Sequence, residues 1–240
     1  MGGVRLIRVK FDYLLWSLNN KTIMKNKNIK KQKKAKNSLK SRSKQNLPEG
    51  YSYISYNITW EPIINKDFPE EVAKQKQELH DLLYSAPKKA IPRLIELKEK
   101  YPDIPELYNW LNGAYTNAGD TESSEAITKE SYEKNPDYLF AQLNYAEMCL
   151  KKGNLDEIPI IFDNKLELSL LYPERDTFHV SEVVGFYGLM SIYYSDKGYI
   201  HAALTCYKLL DELAPNHQTT QRVNHHLQIA TLREMLKLSS

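Results

Sequence analysis

The 240-residue chain is 42% hydrophobic, enough to bury a real core and of a length that suits one repeat array, or one domain with a tail. Its two cysteines, Cys149 and Cys206, are too few for a disulfide framework and fall in apolar-periodic stretches, which predicts buried thiols and a reducing compartment. The net charge of +3 hides a division: residues 25–44 carry ten basic side chains and no acid, whereas residues 45–240 hold 19 basic and 29 acidic ones, a net of −10.

From the start of the chain, no apolar run reaches the length needed to span a bilayer. Phe11 to Leu18 is the nearest approach to a signal peptide. Its apolar core is short and broken by Asp12, and Asn19, Asn20 and Lys21 stand where a small-residue cleavage site belongs. The expectation is therefore a cytoplasmic protein, and Met24 is an alternative start, which would leave 1–23 untranslated or disordered. Residues 1–46 read as a basic, disordered arm, because Lys, Asn, Ser and Gln bury too little surface to offset ordering entropy. Its densest part, Lys30, Lys31, Lys33, Lys34 and Lys36, suits non-specific attraction to nucleic acid or an anionic surface, weakening steeply with salt. That run also fits a permissive nuclear-localisation pattern. The arm from Met24 onward holds no aromatic side chain to stack on bases. A solvated leader without function, or folding back onto the acidic body, accounts for the charge equally well.

Residues 47–66 differ. Tyr51 to Ile64 (YSYISYNITWEPII) is aromatic and β-branched with partial alternation, which fits either a short strand or an extended strap. A lone strand is unstable, so a strap lying on the first helices is the expectation.

Helical periodicity begins at Asp67, where Asp67 and Glu70 are spaced as a capping box with Pro69 in the first turn. The pattern then repeats. Pro102 and Pro136 are 34 residues apart, as are Gly119 and Gly153, and the same marks return as Gly198 and Pro215. Glycine just past a helix end takes the left-handed conformation that closes it, and proline past the next helix forbids continuation. Two helices of about a dozen residues fill such a unit, and neither hides its apolar face alone, so neighbours must stack. Pro92 and Pro159 are expected in the first turns of second helices, where the missing amide costs little.

These marks resemble the tetratricopeptide (TPR) repeat over 67–217, in units 71–104, 105–138, 139–175 and 184–217. The last matches best, through Tyr187, Met190, Ser191, Tyr194, Gly198, Ala203, Tyr207 and Pro215. The second offers Tyr108, Leu111, Tyr115, Gly119 and Pro136, with Ser124 and Ser131 at small positions. The first keeps Ala90, Leu94 and Pro102 but has Ser85–Ala86–Pro87 in place of the turn glycine. The third keeps Tyr145, Ala146 and Gly153, and its proline slips to Pro173. Residues 218–238, with Val223, Leu227, Ile229 or Ala230, Leu232 and Met235, read as a capping helix. The resemblance implies an all-α fold, a right-handed superhelical solenoid of helix–turn–helix repeats with a C-terminal capping helix.

Catalytic chemistry is hard to assemble. No glycine cluster suits a phosphate loop, no His-Glu-x-x-His or Gly-x-Ser-x-Gly occurs, and His225 and His226 point about 100° apart on a helix. His80, His179, His201 and His217 are isolated, and the carboxylates read as solvated faces. The expectation is a non-enzyme with neither cofactor nor metal.

The resemblance further implies that the first helix of each repeat lines a concave groove for a protein or peptide partner. By register the groove would present Glu106, Asn109, Gly113, Thr116 and Asn117, then Phe140, Leu143, Glu147 and Lys151 beside Leu150, then Gly188, Ile192 and Asp196 beside Gly185 and Ser195. At Gly113, Gly185 and Gly188 a ligand backbone could approach closely, or helices could pack tightly. One subgroup clamps a C-terminal carboxylate with cations. Here those positions hold Asn109, Gly113, Asn144, Gly185 and Leu189, so that mode is not expected. A protein-binding scaffold is the leading reading; a nucleic-acid-associated factor tethered by the arm is the alternative.

Overall fold

The computed structural model describes residues 4–12, 51–61 and 68–237. The lysine run Lys30 to Lys36 and Asp67 of the expected capping box lie outside them. The chain divides into two compact units, a helical one within Pro62–Asn164 and a mixed one formed by Met1–Glu61 with Lys165–Ser240.

The helical unit is a succession of antiparallel helices: α1 Glu70–Ser85, α2 Pro87–Lys100, α3 Pro105–Ala118, α4 Thr121–Lys134, α5 Leu139–Lys151 and the short α6 Glu157–Ile161. Each packs on the next, and α3 also touches both α1 and α5. Apolar side chains at helical spacing make this possible. Val72, Leu79 and Leu83 of α1 meet Ala90, Leu94 and Leu97 of α2 and Leu107, Tyr108, Leu111 and Ala114 of α3 in one core, closed by Ile127 of α4.

The repeat marks act as expected at the turns. Gly119 and Gly153 take φ of 77° and 75° after α3 and α5, values that only glycine adopts without strain. The proline turns share a second device. After α2, the Tyr101 N–H donates to the Leu97 carbonyl and the Tyr108 hydroxyl donates to the Pro102 carbonyl at 2.9 Å. Thirty-four residues on, the Asn135 N–H donates to Ser131 and the Gln142 amide donates to the Pro136 carbonyl at 2.8 Å. A buried polar side chain six residues downstream thus satisfies a carbonyl that proline leaves outside any helix.

Pro92 departs from expectation. The helix α2 starts at Pro87, with that proline at its first position, so Pro92 lies in the second turn. Pro92 and Lys88, whose carbonyl would have paired with its missing amide, are both solvent-exposed, so water can take that carbonyl. Pro159 does fall in the first turn of α6, but α6 is only five residues long. Asp163 and Asn164 follow with φ of 49° and 56°, and α7, Leu168–Leu171, belongs to the mixed unit. The second helix of the third repeat is therefore broken where the two units divide.

The mixed unit contains three strands among the described residues; the sequence offered one of them, over 51–59, as the alternative to a strap, and neither of the others. β1 (Val4–Asp12) pairs antiparallel with β2 (Tyr51–Thr59) from Val4↔Thr59 to Asp12↔Tyr51, and β2 pairs in parallel with β3 (Thr177–His179). Residues 4–12 are thus a strand within the expected disordered arm, and Tyr51–Thr59 is the central strand of a sheet. The strand alternative rather than the strap therefore holds for Tyr51–Thr59, and the expected mostly helical character stands, with one three-stranded sheet among the described residues. Ile58 and its partner Phe178 are both fully buried, and β2 and β3 lie against α8 (Val180–Asp196). α9 (Ile200–Leu213) and α10 (Gln218–Lys237) pack on α8 and on each other. Gly198, at φ 80°, closes α8 as the glycine pattern predicts. No helix among the described residues is long and apolar enough to cross a membrane.

Candidate functional site

In the helical unit, α3 contributes Glu106, Asn109, Gly113, Thr116 and Asn117, and α5 contributes Phe140, Leu143, Glu147 and Lys151. Asn109, Gly113 and Asn117 recur every four residues, forming one line along α3 about 12 Å long. At its first end the Asn109 carbonyl oxygen accepts from the Asn144 amide of α5 at 2.8 Å. At its other end the Asn117 amide donates to the Leu83 carbonyl of α1 at 2.8 Å. Between them, a Cβ built on Gly113 would meet no heavy atom within 4 Å. Of the two readings for Gly113, close helix packing is excluded; the position is an open gap between two positioned amides.

The remaining residues divide. Glu147 and Lys151 pair at 3.3 Å on the exposed side of α5, and Glu106 and Phe140 are half-buried. Leu143 is buried in the core and presents no surface. Thr116 is exposed but turned into the α3–α4 seam. Its hydroxyl donates to Asn112 at 3.1 Å and lies 3.0 Å from the Ser124 hydroxyl, and Asn112 also donates to Thr128 at 2.6 Å. Asn112 was not singled out in the sequence because a lone asparagine inside an apolar helix carries no local mark of its partners.

In the mixed unit, Gly188 of α8 is not available to a ligand. A Cβ there would collide with the Thr219 methyl of α10, so this glycine permits close helix packing. Asp196 is occupied by the His226 imidazole of α10 at 2.7 Å, and Ile192 is half-buried. At these positions α10 itself covers the first-helix face. The cationic residues Lys30, Lys31, Lys33, Lys34 and Lys36 lie outside the described residues.

Other titratable groups serve the fold. The Glu167 carboxylate is fully buried and accepts from the Tyr187 hydroxyl at 2.7 Å and the Ser169 amide at 2.9 Å; burial pushes its pKa up against those donors. Burial raises the Cys206 thiol to about 12 and pushes Cys149 up as well, so neither is a ready nucleophile. His179 Nδ1 lies 2.7 Å from the Ser181 hydroxyl, a nucleophile–base distance, but both residues are engaged in closing the start of α8. Among the described residues no three His, Cys, Asp or Glu side chains converge as metal ligands would. What the α3–α5 face offers chemically is amide donors and acceptors beside a side-chain-free gap, groups that suit main-chain recognition.

No protein-family model matches the chain, and no curated protein is similar to it.

Proposed function

We propose that the chain is a non-catalytic, TPR-like scaffold of the cytoplasm that presents the α3–α5 face to a protein or peptide partner. The observation that carries this reading is the Asn109–Gly113–Asn117 line, with an open gap at its centre and an amide fixed at each end. Preorganised amides lose little entropy on binding, and a missing side chain lets a partner backbone come close. The repeat marks support a superhelical stack of such units, and the buried, reduced thiols suit a cytoplasmic setting.

Affinity capture with the intact protein and with Gly113→Trp tests the reading. A side chain at 113 starts into open space, so a genuine partner is expected to be lost while the far-ultraviolet spectrum keeps its helical form. Equal recovery of the partner by a folded Gly113→Trp protein would overturn the assignment.

The charge run favours a second reading, in which the arm tethers the protein to nucleic acid. Deleting residues 1–46 is a poor test, since β1 goes with them. Replacing Lys30, Lys31, Lys33, Lys34 and Lys36 by Gln leaves the strand intact. Under this reading binding to generic RNA or DNA drops and loses most of its salt dependence; no binding by either form contradicts it.

A further inference from the structure

In the mixed unit two histidines hold the same post. The Ser181 N–H donates to His179 Nδ1 at 3.2 Å at the start of α8, and the Thr219 N–H donates to His217 Nδ1 at 3.1 Å at the start of α10. The Ser181 hydroxyl adds a second contact to the same nitrogen at 2.7 Å. A ring nitrogen accepts a hydrogen bond only while unprotonated, so both contacts require the neutral, Nε2–H tautomer. A protonated ring loses the acceptor and sets a cation against the positive end of the helix dipole. The two helices so capped pack on each other, and Thr219, the residue held by His217, is the one that fills the space over Gly188.

We propose that His179 and His217 form a paired acid-sensitive latch, whose protonation uncaps α8 and α10 together and loosens the seam where Thr219 meets Gly188. The surrounding charges are few. Glu182 accepts from the His179 main-chain N–H at 2.8 Å and favours protonation of its ring, but Arg175 grips that carboxylate at 3.0 and 2.7 Å. β2 carries no charged residue, and Asp196, the other charge on α8, is paired with His226. Around His217 the elements that meet bring Asp211 and Glu212 from the end of α9 and Arg222 from α10. Burial pushes the His179 pKa down, keeping its cap neutral until the solution is acidic. The Asp196–His226 pair works in the opposite sense, since protonation of His226 strengthens it.

Nitrogen-15 spectra of the imidazoles and amide exchange in the full-length protein test this directly. At about pH 7.5 both rings are expected as the Nε2–H tautomer. On acidification, after correction for intrinsic exchange, the Ser181 and Thr219 amides should each lose roughly fivefold to tenfold in protection, the measure of one lost cap. The His179→Asn/His217→Asn protein keeps a side-chain acceptor that does not titrate, and its protection should stay flat. An Nδ1–H tautomer at either site in the native protein, or an equal acid loss in the double variant, would overturn the proposal.

Discussion

At the scale of single residues, glycines of similar sequence context turn out to be opposites. Gly113 faces open space within a helix, so it carries only the entropic cost of glycine. Gly113→Ala should stabilise the protein by about 0.5–1 kcal/mol in chemical denaturation. Gly188 is pressed against Thr219, and Gly188→Ala forces the seam apart, at about 1–3 kcal/mol. A loss at Gly113 or a gain at Gly188 would contradict these placements. The Glu167 carboxylate makes a third case. Burial raises its folded pKa, so its neutral form adds stability that is complete below the unfolded carboxyl range and lost as pH rises through the folded value. The Tyr187 hydroxyl stabilises the charged form, so Tyr187→Phe should move the Glu167 titration further up, read from its carboxyl carbon shift. An unmoved or lowered titration would show that the contact does not act on the charge. His179 has the other sign. Its lowered pKa adds stability that is present above the ordinary imidazole range and lost on acidification through the folded value.

At the scale of elements, what was legible follows from which marks act locally. Glycine and proline impose backbone geometry without a distant partner, so Gly119, Gly153 and Gly198 could be placed as helix ends, and they occupy left-handed turns. The repeat resemblance likewise singled out Leu94 and Leu111, and both are buried. Leu94→Ala should cost about 2–5 kcal/mol because its neighbours span three helices and cannot all collapse onto the void; a cost under ~1 kcal/mol in urea unfolding would contradict that packing. The start of α2 was misplaced because Ala86–Pro87 begins a helix as well as it ends one. The sheet was not legible for a deeper reason, although a strand at 51–59 was one of the two readings. β1 and β2 are joined by residues 13–50, and β3 comes from beyond Lys165, so pairing such as Ile58↔Phe178 leaves no trace in any local window.

For the whole molecule, the repeat marks are shared between two compact units. The helical unit carries two proline turns sealed by Tyr108 and Gln142, whereas the marks of the fourth unit lie where α10 occupies the first-helix face at Gly188 and Asp196 and the sheet packs on α8 and α9. Of the residues assigned to a groove by register, Asn109, Gly113 and Asn117 share one line on α3, whereas Leu143 is buried and Thr116 turns into the α3–α4 seam. The occlusion of Gly188 and Asp196 could not be read from the register, because it depends on where a later helix packs. Under the proposed reading, partner recognition is therefore assigned to the helical unit. Site-specific photo-crosslinking tests this most directly, with a benzophenone side chain placed in turn at Gly113 and at the exposed Lys129 of α4. The account predicts a discrete adduct with one cellular protein from position 113 and none from 129; adducts from both positions alike, or from 129 alone, would contradict it.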